Sequence, residues 1–372
     1  MAASVIQEQV GARADLPLPS FEVHGYRGIR HLLLPRLERV NLFVGVNNAG
    51  KTSLLEAVRL FSNRTSPSEL VSVLRERSGQ RLASPFAREE EGLSTEEAEF
   101  ALEMARSLFH GAYDGVTAPV VIGLADEVVD RLSFALLGND GAVQDGGGDF
   151  VANLSTPLLR MSYLHRDWNV LLRTLTRGVI VSKKDGHSLA EFVPAQGLDD
   201  TRAARLWDRA VEAGYAQTVE DALRLVSPEL ERVFLIGRGR TRRVVLQMRG
   251  TRRAVPIANM GDGTNRVFGI ALALVAAQGG ALLIDEFENG LHHSIQGELW
   301  GAIFQIAAQL KVQVFATTHS WDTVVGFQHA ATLSPDEGIL YRLDCRVSGQ
   351  VRAVQYTEAE VAIAADQQIE VR

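Results

Sequence analysis

Cysteine is almost missing from this 372-residue chain: Cys345 stands alone, so no intrachain disulfide can form, and a reducing compartment fits best. Lysine is nearly as scarce. It occurs only at Lys51, Lys183, Lys184 and Lys311, and arginine supplies the other basic side chains. In so lysine-poor a chain, a lysine inside a phosphate-binding pattern carries extra weight. Long apolar runs are also absent. Met1–Ser20 lacks the basic start and continuous apolar core of a signal peptide, and Phe268–Ile284 is broken at Gln278-Gly279-Gly280. A soluble, cytoplasmic protein with no membrane partner is therefore expected. Positive charge is not in excess, since Lys+Arg 38 against Asp+Glu 45 gives −7, which argues against a dominant nucleic-acid-binding face. Hydrophobic residues at 46% exclude global disorder, and the length predicts two lobes.

What is present is an alternation of apolar strands and helices. Phe21–Val23 and Val40–Val44 read as strands, followed by a glycine- and asparagine-rich turn and a helical pattern over Lys51–Leu60. Ser62–Asp114 is polar and mostly helical in pattern. Strand-like segments follow near Val116–Gly123, Arg131–Leu137 and Leu158–Leu164, predicting a small antiparallel lobe. Thr201–Leu225 returns to helix. Arg232–Ile236, Val244–Met248 and Ala254–Ile257 read as a three-stranded meander. From Gly263 the pattern runs helix, strand (Ala281–Ile284), helix (Ile295–Leu310), strand (Val312–Ala316), helix. Two strands, near Gly338–Cys345 and Val351–Tyr356, and a short helix close the chain. The alternation predicts an α/β core with a parallel sheet.

Gly45-Val46-Asn47-Asn48-Ala49-Gly50-Lys51-Thr52 matches G-x-x-x-x-G-K-[ST], with a buried strand entering and a helix leaving. Backbone N–H groups must curl round phosphate oxygens, so glycine is needed where a side chain would collide. Lys51 is expected on the terminal phosphates and Thr52 on Mg²⁺. Ala281–Ile284 ends in Asp285-Glu286, where Asp285 would hold Mg²⁺ through water and Glu286 would polarise the attacking water. Phe315-Ala316-Thr317-Thr318-His319-Ser320 ends another apolar strand, so His319 could sense a γ-phosphate or be a plain turn residue. Asn259–Arg266 leads into a long apolar helix. Its glycines make either a second anion cradle, serving the nucleotide of another copy, or a simple junction capped by Asp262 or Thr264.

These four elements, in this order, resemble the ABC-type ATPase head shared by the SMC, RecF and OLD (overcoming lysogenization defect) families. The opening Phe21–Ile29, Ile284–His292 and Ala316–Ser320 carry the likeness, which covers about 21–60 and 230–325. The resemblance implies a P-loop ABC-ATPase-like head with a mixed sheet, an antiparallel β lobe and an inserted helical region. The expected division is 1–61 (first part of the core), 62–226 (inserted lobe) and 227–372 (second part of the core). By the same resemblance Gly45, Asn47, Asn48, Ala49, Gly50, Lys51, Thr52 and Ser53 form the Walker A loop, and Asp285 and Glu286 the Walker B pair. Gly261, Asp262 and Gly263 open a signature-like loop running to Arg266. His319 becomes a switch histidine, Glu288–His293 a dimer-facing loop, Arg27 an arginine near the nucleotide, and Gln196 a candidate Q-loop metal contact. The catalytic set is then Glu286, His319 and Lys51; ATP and Mg²⁺ are the implied cofactors.

The signature departs from the Ser-Gly-Gly-Gln form of membrane transporters, and no long heptad tract marks an SMC rod. The segment after His319 is too short for the nuclease domain of OLD proteins, so any cutting is expected from another polypeptide. The first functional expectation is an ATP-gated homo-oligomer, the ATPase or sensor subunit of a prokaryotic anti-phage system, controlling a separately encoded nuclease or toxin. Alternatives are a RecF-like repair ATPase that binds DNA directly, or a non-catalytic ATP-dependent scaffold. The arginines at 238, 240, 242, 243, 249, 252 and 253 keep nucleic-acid contact open.

Overall fold

A computed structural model describes residues 15–78, 95–112, 118–125, 127–137, 158–177, 189–237, 242–345, 350–357 and 360–361. The chain opens with a hairpin, β1 (Phe21–Tyr26) and β2 (Ile29–Leu34), then β3 (Val40–Val44), α1 (Lys51–Ser62), α2 (Pro67–Ser78) and α3 (Thr95–Arg106). Strands β4 (Val120–Gly123), β5 (Arg131–Leu137), β6 (Leu158–Tyr163) and β7 (Arg166–Leu171) precede α4 (Arg173–Arg177) and β8 (Ala190–Val193). After α5 (Asp200–Glu212) and α6 (Ala216–Arg224) come β9 (Leu230–Ile236), β10 (Arg243–Met248) and β11 (Val255–Pro256). The remainder is α7 (Asp262–Ala276), β12 (Ala281–Ile284), α8 (His293–Leu310), β13 (Gln313–Thr318), α9 (Trp321–Thr332), β14 (Gly338–Cys345) and β15 (Val351–Tyr356).

The central sheet has the order β15-β14-β3-β13-β12-β8, and all neighbours in it are parallel except the β14–β15 pair. Because side chains alternate along a strand, each face receives its own set. Val40, Leu42, Val44, Leu282, Ile284, Val314 and Ala316 join one core with α7 and α8. Phe43, Leu283, Phe315 and Tyr341 join the other, with α1 and the antiparallel sheet. Phe43 lies nearly parallel to Phe315 and to Tyr341, with ring centroids 6.5 and 6.1 Å away. With both faces covered, β3, β12 and β13 are buried throughout, as a doubly covered parallel sheet requires.

The second sheet is antiparallel, in the order β2-β1-β4-β5-β6-β7, and α1 packs between it and the central sheet. The meander β11-β10-β9 forms a third. Strand pairing crosses the expected division at both boundaries. β1 and β2, expected in the 1–61 core segment, pair with β4 into the antiparallel lobe. β8, expected in the 62–226 lobe, pairs parallel with β12 at the edge of the central sheet, and α5 and α6 share the core of α7. The cause is local: four residues, Ala-Glu-Phe-Val, suffice to extend a sheet, while their sequence pattern is too short to show it. Glu89–Glu91 and the glycines at 146–148 lie outside the described residues, as does most of the closing short helix.

A buried amide ties the entry of the chain to this sheet. Gln313 is fully buried; its Nε2 donates to Leu18 O (2.7 Å) and Glu38 O (3.0 Å), while its Oε1 accepts from Leu18 N (2.9 Å). Gln313→Leu would remove the partner of both Leu18 backbone groups, while Glu38 O keeps Asn41 Nδ2 (2.7 Å), so it is expected to destabilise the fold by about 1–3 kcal/mol. Urea denaturation measures this; an unchanged midpoint contradicts it.

Candidate nucleotide site

The doubly buried β3 ends at Val44, and the chain turns through Gly45–Gly50 into α1. At Gly45 a Cβ would lie 2.5 Å from the backbone oxygen of Leu343, and φ is +150°. Gly50, with φ +93°, is the N-cap of α1 and offers no side-chain cap, so side chains leave the first-turn N–H groups open to an anion. Asn48 adopts a left-handed φ of 64° between them. Lys51 is buried and folds back over the loop, its Nζ donating to Gly45 O (2.7 Å) and Val46 O (3.1 Å) and lying 3.4 Å from His319 Nδ1. Lys51 and His319, 268 residues apart, thus meet at one point.

Pairing of β12 with β13 and of β13 with β3 delivers the other two strand ends to the same edge. The Asp285 carboxylate accepts from Thr52 Oγ1 at 3.1 Å and from Thr317 Oγ1 at 2.7 Å. A hydroxyl beside a carboxylate is a hard-oxygen donor set that suits Mg²⁺, and the open first turn of α1 suits polyphosphate. Glu286 has a left-handed φ of 48°, unusual for a non-glycine residue. Three contacts hold it there: its N–H donates to Thr317 Oγ1 (2.9 Å), its O accepts from Arg266 Nη2 (2.7 Å), and Asn289 Nδ2 donates to its carboxylate (2.7 Å). Phe287 is buried and stacks on Trp300 at 4.1 Å, which anchors the loop from the other side. Glu288 accepts from Thr318 Oγ1 and from His319 N, each at 2.7 Å, and so sets the backbone that carries His319.

Arg266, the last residue of the signature-like stretch, is 3% exposed and reaches back from α7 into this site. Its Nη2 donates to Asp285 O (2.6 Å) and Glu286 O (2.7 Å), and its Nη1 to Pro194 O (2.6 Å). Burial pushes its pKa down to about 10 despite Asp285, Glu288 and Glu286 nearby. α7 starts on Gly261 without a side-chain cap, so neither Asp262 nor Thr264 is the N-cap. Gly263 and Gly290 are in close approach: a Cβ at Gly263 would lie 2.9 Å from Gly290 O. The signature-like loop and the expected dimer-facing loop therefore form one surface, on which Gly261 and Asp262 are exposed.

Gln196 follows β8 and lies in two adjoining clefts. One, of about 1080 Å³, includes Thr52, Glu56 and Asp285; the other, of about 760 Å³, includes Asp262, Asn265 and Arg266. Arg27 meets the first of these clefts through Glu56, one of its lining residues. The Arg27 Nε is 2.6 Å from Glu56 Oε2, one turn beyond Thr52 on α1, and its guanidinium lies over the Tyr26 ring. Ser320, which follows His319, caps α9 by accepting from Thr323 N. Sequence reasoning passed over the roles of Thr317, Glu288, Asn289 and Arg266, whose contacts cross between strand ends.

Burial lowers the Lys51 pKa to about 8, against the opposing effect of Asp285, Glu288 and Glu286. Phosphate favours the charged form, so the complex titrates higher than the free protein. Nucleotide affinity is therefore expected to be highest below about pH 8 and to fall as pH rises past it. Dissociation constants for a non-hydrolysable ATP analogue from about pH 7 to about pH 9 test this. Lys51→Arg should flatten the profile; a flat wild-type profile contradicts it.

Residues 176–325 match the family model described as "AAA domain, putative AbiEii toxin, Type IV TA system", and residues 16–69 match one described as "Protein of unknown function (DUF2813)". A 65-residue stretch is 38% identical to the uncharacterized protein MJECL10 of Methanocaldococcus jannaschii, covering 17% of this chain and 30% of that protein. The chain thus spans less than a third of that relative's length. Similar solved structures include an Smc head bound to the C-winged helix domain of ScpA (11% identity, TM-score 0.48, 95% of this chain and 99% of that one). Another is the Smc head with an extended coiled coil bound to the C-terminal domain of ScpA derived from Pyrococcus furiosus (11%, TM-score 0.46, 95% and 99%). A third is the SMC head domain from Thermotoga maritima (12%, TM-score 0.40, 91% and 99%). A phosphate loop, an Asp-Glu strand end and a Thr-His strand end converge on one sheet edge, and the match to the AAA-domain model spans the last two; this convergence is the geometry of a P-loop nucleotide site, and over 176–325 the chain is similar to that AAA domain.

Proposed function

We propose that this chain binds ATP with Mg²⁺ at the edge formed by β3, β12 and β13, hydrolyses it, and closes into a two-fold dimer around it. The observation that carries the reading is the convergence of Thr52, Asp285, Lys51 and His319, which arrive from three separate strand ends. Thr52 and Asp285 would hold Mg²⁺, Asp285 through water. The ion supplies charge neutralisation across the terminal phosphates. Lys51 leaves its own loop carbonyls to meet the phosphates as a point charge. Glu286, with Asn289 on one carboxylate oxygen, orients the attacking water and takes its proton. His319, positioned through Glu288, reports on the terminal phosphate.

One chain holds one P-loop and one signature-like cradle, and the cradle is turned outward at Gly261 and Asp262. In a two-fold arrangement each nucleotide lies between the P-loop of one copy and the cradle of the other, so the assembly closes. The family description naming an AbiEii toxin supports the biological reading. On that reading the protein is the cytoplasmic ATPase or sensor subunit of an anti-phage system and controls a separately encoded nuclease or toxin. Arg242 is bound to Asp208 (2.8 Å), which removes it from any free basic face, while Arg243, Arg249, Arg252 and Arg253 remain exposed. Arg238 and Arg240 lie outside the described residues.

Glu286→Gln is expected to lower ATP turnover by about 10²–10⁴-fold while leaving ATP binding intact. A wild-type rate in this variant removes Glu286 from the base role. The same variant should accumulate a dimer in Mg²⁺-ATP by light scattering. Asp262→Arg, at the exposed start of α7, should abolish that dimer without weakening nucleotide binding. A substitution at Gly263 is a poorer probe, since any side chain there displaces Gly290. Identical masses for both variants with and without ATP would place assembly on other surfaces.

A further inference from the structure

On the outer face of the antiparallel sheet, in the hairpin that precedes β3 and the phosphate loop, three side chains of metal-ligating type meet. Glu22 and His24 are two residues apart on β1 and so share a face, and His31 is the cross-strand partner of His24 on β2. His24 Nε2 lies 3.0 Å and His31 Nε2 3.1 Å from the same atom, Glu22 Oε1. The two imidazoles stack at 4.4 Å, 17° from parallel. The other carboxylate oxygen is already engaged, accepting from Arg131 Nη2 at 2.9 Å.

The geometry points to a transition-metal site of the zinc class, with Glu22 Oε1, His24 Nε2 and His31 Nε2 as its protein ligands. All three ligand atoms lie within 4.8 Å of one another. Tetrahedral zinc with bonds of about 2.0–2.1 Å needs its ligand atoms about 3.3 Å apart, so small side-chain adjustments suffice. Arg131 serves as the outer partner that fixes the carboxylate and leaves one oxygen for the metal. Two imidazoles with one carboxylate favour zinc, cobalt or nickel over Mg²⁺, whose preference is for all-oxygen sites. The site is thus chemically separate from the Thr52–Asp285 pair. His24 and His31 are partly exposed, at 40% and 39%, so the fourth coordination position faces water.

Its place in the fold gives it a role. The β1–β2 turn carries Arg27, which grips Glu56 on the helix that follows the phosphate loop. His31 also bridges by its backbone to Gln350, beside the β14–β15 hairpin. Metal across the hairpin would stiffen the segment that braces the P-loop helix from behind.

Full-length protein stripped with EDTA and titrated with ZnCl₂ by calorimetry, without nucleotide and with excess MgCl₂, tests the site. One equivalent of Zn²⁺ should bind in the presence of Mg²⁺. His24→Ala, His31→Gln and Glu22→Gln should each weaken that equivalent by at least about tenfold. His31→Gln keeps a hydrogen-bonding side chain towards Glu22, and unchanged ATP turnover in that variant reports an intact fold. Co²⁺ in place of Zn²⁺ should give a visible absorption band that these variants lose. His293→Ala, at the neighbouring His292–His293 pair, should retain the Zn²⁺ equivalent. Equal Zn²⁺ affinity in the wild type and in folded His31→Gln, or displacement of Zn²⁺ by Mg²⁺, would overturn the site. The cluster would then be a hydrogen-bonded triad only.

Discussion

A strand covered on both faces can present polar groups only at its ends, and that constraint organises this molecule. β3, β12 and β13 are buried along their whole lengths and run parallel, so their carboxyl ends open on one edge. Asp285, Glu286 and His319 follow those ends directly, and Thr52 follows after the phosphate loop. The chemistry collects there because the sheet leaves it no other outlet. The flanking layers, α1 with the antiparallel sheet on one side and α7 with α8 on the other, keep the strands dry.

What was legible in the sequence follows from how local each signal is. The phosphate loop, the Asp285-Glu286 strand end and the long apolar helix α7 each occupy one contiguous run, and each lies where its pattern placed it. β8 was not legible, because four residues with one glutamate among them show no period. The assignment of the β1–β2 hairpin to the antiparallel lobe was hidden for another reason. Strand pairing depends on partners a hundred residues away, and β1 finds β4. The Arg27–Glu56 contact is hidden for the same reason, since it joins the β1–β2 turn to α1. Thr317, Glu288 and Arg266 act through contacts between elements, which no single window contains.

Those cross-contacts give the site its mechanical character. Glu286 is held in a left-handed conformation that a non-glycine residue adopts only when its surroundings impose it. Arg266 supplies part of that imposition and belongs to α7, so two hydrogen bonds tie the signature-like segment to the Asp-Glu strand end. The same guanidinium holds Pro194 O beside Gln196. A contact made on the exposed start of α7 would thereby be felt at the position assigned to the water-activating carboxylate.

The central claim is that one nucleotide site is assembled from three strand ends around Mg²⁺. Isothermal titration of the full chain with ATP, in Mg²⁺ and in EDTA, tests it most directly when Asp285→Asn is measured alongside. The account predicts one ATP per chain, bound at least about tenfold tighter in Mg²⁺, a difference of about 1.4 kcal/mol, with that gain lost in Asp285→Asn. Equal affinity in Mg²⁺ and EDTA for the wild type, or a full Mg²⁺ gain in Asp285→Asn, would contradict it.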